Sequence, residues 1–173
     1  MIRKAPFVAA ALAVCALACA CGYGLRGTGT FLPPHIKTLS VPMFRNETTR
    51  YQLDLKLTQA VINEFVSRSK VEVAADNAEA DAVLLGTVQS FVVRPIALSG
   101  AGAADRYNIT VVAKVVLRDK VKNRIVFSNP SFMYVGEYEV GEGADFESVE
   151  TEAIDQIAEK FARSLVMTML EGF

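Results

Sequence analysis

Apolar residues recur at helical spacing in two stretches of the chain and at alternate positions in several others. From Tyr51 to Ser67, Leu53, Leu57, Val61 and Phe65 repeat every fourth residue, flanked by Leu55, Ile62 and Val66. That spacing predicts an amphipathic helix with one apolar stripe. Thr48 or Thr49 in the polar turn before it would cap its N-terminus. A second helix is predicted to open at Asp145. Ile154, Ile157, Ala158, Phe161, Ala162, Leu165, Val166 and Met169 form its broad apolar stripe. Glu152, Asp155, Glu159, Lys160 and Arg163 lie opposite. Acidic residues crowd its first turns, where the positive end of a helix dipole favours them.

The alternating stretches read as strands. Ile36 to Phe44 places Leu39, Val41 and Met43 on one face. Pro42 lacks a ladder donor, which puts this strand at an edge or near its end. Val71 to Ala75 suits a short strand. Ala82 to Val93 is apolar enough for the centre of a sheet. Pro95 to Asp105 reads as a loop. Tyr107 to Asp119 alternates cleanly, with Tyr107, Ile109, Val111, Ala113, Val115 and Leu117 on one face and Asn108, Thr110, Lys114 and Arg118 on the other. Lys120 to Arg124 (KVKNR) makes a hairpin turn, for which Asn123 is well suited. Ile125 to Val140 returns as a strand interrupted at Asn129-Pro130. This order predicts an α+β domain. Two helices would pack on one face of a mostly antiparallel or mixed four-stranded sheet.

The first 22 residues follow a different pattern. Arg3 and Lys4 precede a short apolar run from Phe7 to Leu17, and small residues with Cys21 follow. This is the layout of a secretory signal peptide, with a run too short to span a bilayer, which takes roughly 20 apolar residues. A cleavage site abutting a cysteine resembles a bacterial lipobox, in which that cysteine is acylated. Cys21 is the expected lipidation site. Cys19, preceded by Leu17 and Ala18, is the alternative. The expected organisation is therefore a lipoprotein signal peptide at 1–20, a lipidated tether or N-terminal arm at 21–34, and one domain at 35–173.

Composition narrows the function. Removing Arg3 and Lys4 from the chain's 18 cations leaves 16 against 19 anions, so no basic excess points to nucleic acid. All three cysteines fall in the leader segment, which leaves the domain without thiol chemistry. His35 is the only histidine, in a Pro-Pro-His turn, and reads as a surface residue. No nucleophile elbow, phosphate loop or GxGxxG occurs. Neither a catalytic residue, a metal site nor a cofactor site is expected, so the chain does not read as an enzyme.

Several short stretches, in order, resemble one family. Cys21-Gly22-Tyr23-Gly24-Leu25-Arg26-Gly27 resembles a mature start "CGY-x-L-x-G". Leu39 to Thr48 (LSVPMFRNET) resembles "V-P-x-F-x-N-x-T". Leu57-Thr58 to Phe65 fits "L-T-x-A-(x)-E-F", and Ala80-Asp81-Ala82 to Gly86 fits "A-D-A-x-L-x-G". Together they are similar to the lipopolysaccharide-assembly lipoprotein family LptE. The resemblance implies an outer-membrane lipoprotein that plugs a large β-barrel, the lipopolysaccharide translocon. It implies help in assembling that barrel and binding of lipopolysaccharide. Partners would be the barrel, lipopolysaccharide and the membrane holding the lipid anchor. The domain would lie on the periplasmic side or within the barrel lumen, which suits polar outer faces of the sheet and last helix. Candidate cations for lipopolysaccharide phosphates are Arg94, Arg106, Lys120, Lys122 and Arg124. The competing class is an envelope lipoprotein that scaffolds another periplasmic complex or binds cell wall.

Overall fold

The computed structural model describes residues 32–74, 77–98, 104–141 and 146–171. Three long strands dominate it: β4 (Ala82–Leu98), β5 (Ala104–Asp119) and β6 (Arg124–Glu139). They pair antiparallel in sequence order, with Ala82 opposite Asp119 and Arg106 opposite Glu139. Three short strands complete the sheet: β1 (Thr38–Ser40), β2 (Arg45–Asn46) and β3 (Glu72–Val73). β1 lies parallel between β3 and β4, and β2 pairs parallel with the middle of β4. The sheet is thus mixed and six-stranded, with order β3-β1-β4-β5-β6. Six strands stand among the described residues where a four-stranded sheet was expected: the short strand expected over Val71–Ala75 is present as β3, and β2, two residues long, is too short to leave a period.

Two helices cover one face. α1 (Leu53–Arg68) buries Leu53, Leu57, Val61 and Phe65, the expected stripe. α2 (Phe146–Glu171) buries Ile157, Phe161, Leu165, Val166 and Met169. The helices run in the same direction. Lys56 Nζ meets Asp155 Oδ1 at 2.6 Å, and two turns on Arg163 Nε lies 4.0 Å from Glu64 Oε1. Beneath them lie Ile109, Val111, Ala113, Val115 and Leu117 of β5, all fully buried. Phe132 of β6 meets Phe161 edge-to-face, with centroids 5.5 Å apart at 83°.

Three local expectations change. The strand expected over Ile36–Phe44 is hydrogen-bonded as β1 only at Thr38–Ser40. Beyond Pro42 the chain rotates, so Met43 is 64% exposed and Phe44 is buried in its place. The Phe44 N–H donates to Thr58 Oγ1 at 2.9 Å, which fixes this turn to α1. Neither Thr48 nor Thr49 caps α1. Gln52 occupies that position with φ 56 and no side-chain cap, while Thr48 Oγ1 donates to Asn46 Oδ1 at 2.8 Å. Strand pairing also extends into the expected Pro95–Asp105 loop at both ends, to Leu98 and from Ala104.

Gly86 shows how tightly the core closes. A Cβ there would sit 2.5 Å from the Phe44 ring, so the ring lies flat over the bare backbone. Gly86→Ala should therefore cost about 1–3 kcal/mol by overpacking. Phe161→Ala should cost roughly 3–5 kcal/mol by leaving a cavity between α2 and β6. Urea unfolding monitored by circular dichroism checks both. A midpoint unchanged in either variant would contradict the packing described.

Candidate functional site

Among the described residues, no helix covers the outer face of the sheet. Register places Leu85 beside Val116, Val112 beside Met133, and Thr110 beside Val135 on that face. Leu85 is 48% exposed, Val135 51% and Met133 61%, with Lys114 and Arg118 exposed among them. The face is therefore mixed, with exposed apolar side chains where a polar surface was expected. β6 is also an edge strand, paired with β5 alone among the described residues. Exposed apolar side chains grouped on a sheet face beside an open strand edge are features of interaction surfaces.

The five candidate cations fall into two groups. Arg94 is exposed near the end of β4, opposite Asn108. Arg106, two residues further along β5, pairs with Glu139 at 2.9 Å. Lys120, Lys122 and Arg124 lie at the other end of β5, around the β5–β6 turn. Fourteen residues separate Arg106 from Lys120, or roughly 45 Å of extended strand. The two groups cannot hold one phosphate between them. Cys21 and Cys19 lie outside the described residues.

The turn is organised by a carboxylate the sequence reading passed over. Asp119 is fully buried. Its Oδ1 accepts the Lys122 N–H at 2.9 Å and its Oδ2 accepts His35 Nε2–H at 2.8 Å. An ionised carboxylate only accepts, so the His35 proton in this bond sits on Nε2. Arg124 Nε approaches the same oxygen at 3.5 Å. Burial acts to raise the Asp119 carboxyl. The Lys122 N–H, His35 and Arg124 outweigh it and hold the group below the usual carboxylate range. Asn123 adopts the left-handed conformation the turn needs, φ 47. Lys120 Nζ donates to the carbonyls of Asn77 and Ala78. Lys120 and Arg124 are therefore already engaged, while the Lys122 ammonium has no ion pair among the described residues.

Asp81 fastens the neighbouring strand. Its Oδ2 accepts the N–H of Lys37 at 2.8 Å and of Thr38 at 3.0 Å, and those bonds lower its carboxyl. His35, expected as a surface residue, is thus half-buried and tied to the turn. In β5 Asp119 continues the inward phase of Ile109 through Leu117. A charged residue at a core position was the available signal.

Other chemistry has little room. Among the described residues no group of three or more His, Cys, Asp or Glu is placed to hold a metal ion. No described helix is long and apolar enough to cross a membrane. A pocket lined by Tyr51, Gln52, Lys56, Glu150, Thr151 and Ile154 holds about 150 Å³, below the roughly 300 Å³ where small-molecule sites begin.

A carboxyl lowered in the folded state stabilises the fold above its unfolded pKa, about 3.9, and that contribution disappears as pH falls through the folded value. Asp119→Asn should accordingly melt below wild type at neutral pH, with the gap narrowing below about pH 4. Thermal melts across pH check this. A gap of constant size would mean that Asp119 does not hold the turn as a charge.

A family model described as "LptE: Lipopolysaccharide-assembly" matches residues 36–169. No curated protein matches the chain significantly. Among solved structures, a protein of Xanthomonas campestris is 17% identical with TM-score 0.56, covering 79% of this chain and 84% of its own. A lipoprotein of Caulobacter crescentus is 14% identical with TM-score 0.48, covering 73% and 87%. Lipoprotein B of Nitrosomonas europaea is 12% identical with TM-score 0.46, covering 84% and 91%. The Xanthomonas likeness shows a shared fold.

Proposed function

The chain belongs to the lipopolysaccharide-assembly family LptE, and from that premise we propose that it is the lipid-anchored plug of an outer-membrane β-barrel. In this reading Cys21 carries the acyl chains and residues 21–34 tether the domain that follows. The partner is the large barrel of the lipopolysaccharide translocon, whose assembly the plug assists. The observation that carries the reading is the uncovered sheet face. Leu85, Met133 and Val135 stand exposed on it beside Lys114 and Arg118. Such a mixed surface suits a large, partly wet protein partner better than bulk water. The role needs no catalytic group. It asks for a rigid body with a complementary outside, which a one-sided sheet supplies.

Lipopolysaccharide binding belongs to the same proposal and falls on the cations. Because the two groups stand at opposite ends of β5, one end must dominate. The Arg94 end suits the role better. Arg94 has no ion pair among the described residues, and Arg106 is paired there with the exposed Glu139. A guanidinium grips phosphate through two parallel hydrogen bonds. At the hairpin, Lys120 and Arg124 already have partners.

Two experiments test this. Tagged wild-type protein purified from outer membranes should bring down one dominant large barrel protein. Recovery with a cell-wall fraction or a periplasmic complex would favour the scaffolding alternative. Arg94→Ser with Arg106→Ser should weaken lipopolysaccharide binding in vitro while leaving folding and barrel recovery intact. If the loss instead follows the Lys120→Ser, Lys122→Ser and Arg124→Ser triple variant, the site belongs to the hairpin.

A further inference from the structure

The β5–β6 turn has a composition that the plug reading leaves unused. Val121 sits in the turn, 62% exposed, between Lys120 and Lys122, and Ile125 is 61% exposed just beyond Arg124. Arg118 is exposed one residue before Asp119. Four cations thus surround two exposed aliphatic side chains. The acidic neighbours Asp119 and Asp81 are drawn inward onto backbone N–H groups. Glu79, on the adjoining turn, is exposed.

The chain enters the fold at this same end. His35 is bonded to Asp119, the residue that also holds the Lys122 N–H, so one buried carboxylate clamps the incoming segment to the turn. From Cys21 to Leu32 is eleven residues, a reach of at most about 40 Å. The Arg94 end stands roughly 45 Å further along the strands. An acyl group on Cys21 therefore keeps the hairpin end within reach of the bilayer.

We infer that, in the acylated chain before it joins a barrel, the Lys120–Ile125 tip rests on an anionic phospholipid surface. Val121 and Ile125 enter the interface, the Lys122 ammonium meets lipid phosphate, and Arg118, Lys120 and Arg124, held by their partners within the fold, add the positive field that draws the tip to an anionic surface. Long cationic stems lie along apolar surface and keep their heads at the phosphate level, which is why Lys flanking an exposed Val suits this boundary. Attraction of cations to anionic lipid falls off within a Debye length, so the tip responds to salt where an acyl chain does not. This contact would set the domain's orientation on the membrane and rests on the reading of Cys21 as the anchor.

The chain contains no tryptophan, so Val121→Trp supplies a single emission centre. The acylated full chain carrying it is reconstituted with vesicles of phosphatidylcholine and phosphatidylglycerol, and separately with phosphatidylcholine alone. In the anionic vesicles the emission should shift to the blue and be quenched by brominated acyl chains. Both effects should disappear in the neutral vesicles, in about 1 M salt, and when Lys120→Ser, Lys122→Ser and Arg124→Ser are added. Ile125→Trp should behave as Val121→Trp does. Leu55→Trp, exposed on α1, should remain water-like throughout. Flotation of the vesicles separates the two claims. Chain that floats while Val121→Trp and Ile125→Trp both emit as in water overturns the hairpin contact and leaves the anchor standing. Chain that fails to float overturns both.

Discussion

Among the described residues, two parallel helices cover one side of a ribbon of three long strands and leave the other side bare. That one-sided burial governs the rest of the molecule. The inner face takes the buried aliphatics of β5 and the aromatic rings of Phe44, Phe65 and Phe161. α1 and α2 are held in step by Lys56–Asp155 and Glu64–Arg163. Those pairs are partly exposed and contribute little energy by themselves. Their value is in register, because helices running the same way at a fixed offset present one continuous apolar surface to the sheet. The outer face is then free to meet something else, and its exposed Leu85, Met133 and Val135 are the cost of keeping it free.

A second constraint sits at one end of the ribbon. Two carboxylates, Asp81 and Asp119, replace water as partners for backbone N–H groups of β1 and of the β5–β6 turn. Buried ionised groups are tolerated only when hydrogen-bonded and paired. Asp119 meets that condition with His35 and Arg124, and in doing so joins the chain's entry to the hairpin. The molecule thus has a polarised layout. The Leu32–His35 entry of the described chain, the clamp and the cationic turn share one end, while Arg94 and Arg106 occupy the other.

Much of this was legible in the sequence. Both helical stripes, the alternation of β5 and the return of β6 follow directly from spacing, because long elements repeat their period several times. β2 was hidden, since two residues carry no period, whereas β3 lies within the short strand expected over Val71–Ala75. Pro42 misled in a specific way. Alternation pointed Met43 inward, but the chain turns after the proline and Phe44 takes the place over Gly86. The cap failed because Asn46 draws Thr48 into its own turn. The candidate cations were expected in two loops, but Arg94, Arg106 and Arg124 lie within β4, β5 and β6, and the carbonyls that hold Lys120, those of Asn77 and Ala78, are more than 40 positions away in sequence. His35 and Asp119 are 84 apart in sequence, and only the fold brings them together.

In the proposed reading the body works by fitting a partner, and the bare face is where the partner would sit. The most direct test places a photo-crosslinking residue at Met133 or Val135 in cells and irradiates. Adducts with one large outer-membrane barrel protein at both positions are expected. Adducts with a periplasmic or wall-bound protein instead, or no adduct from either position while the chain is present and folded, would contradict the account.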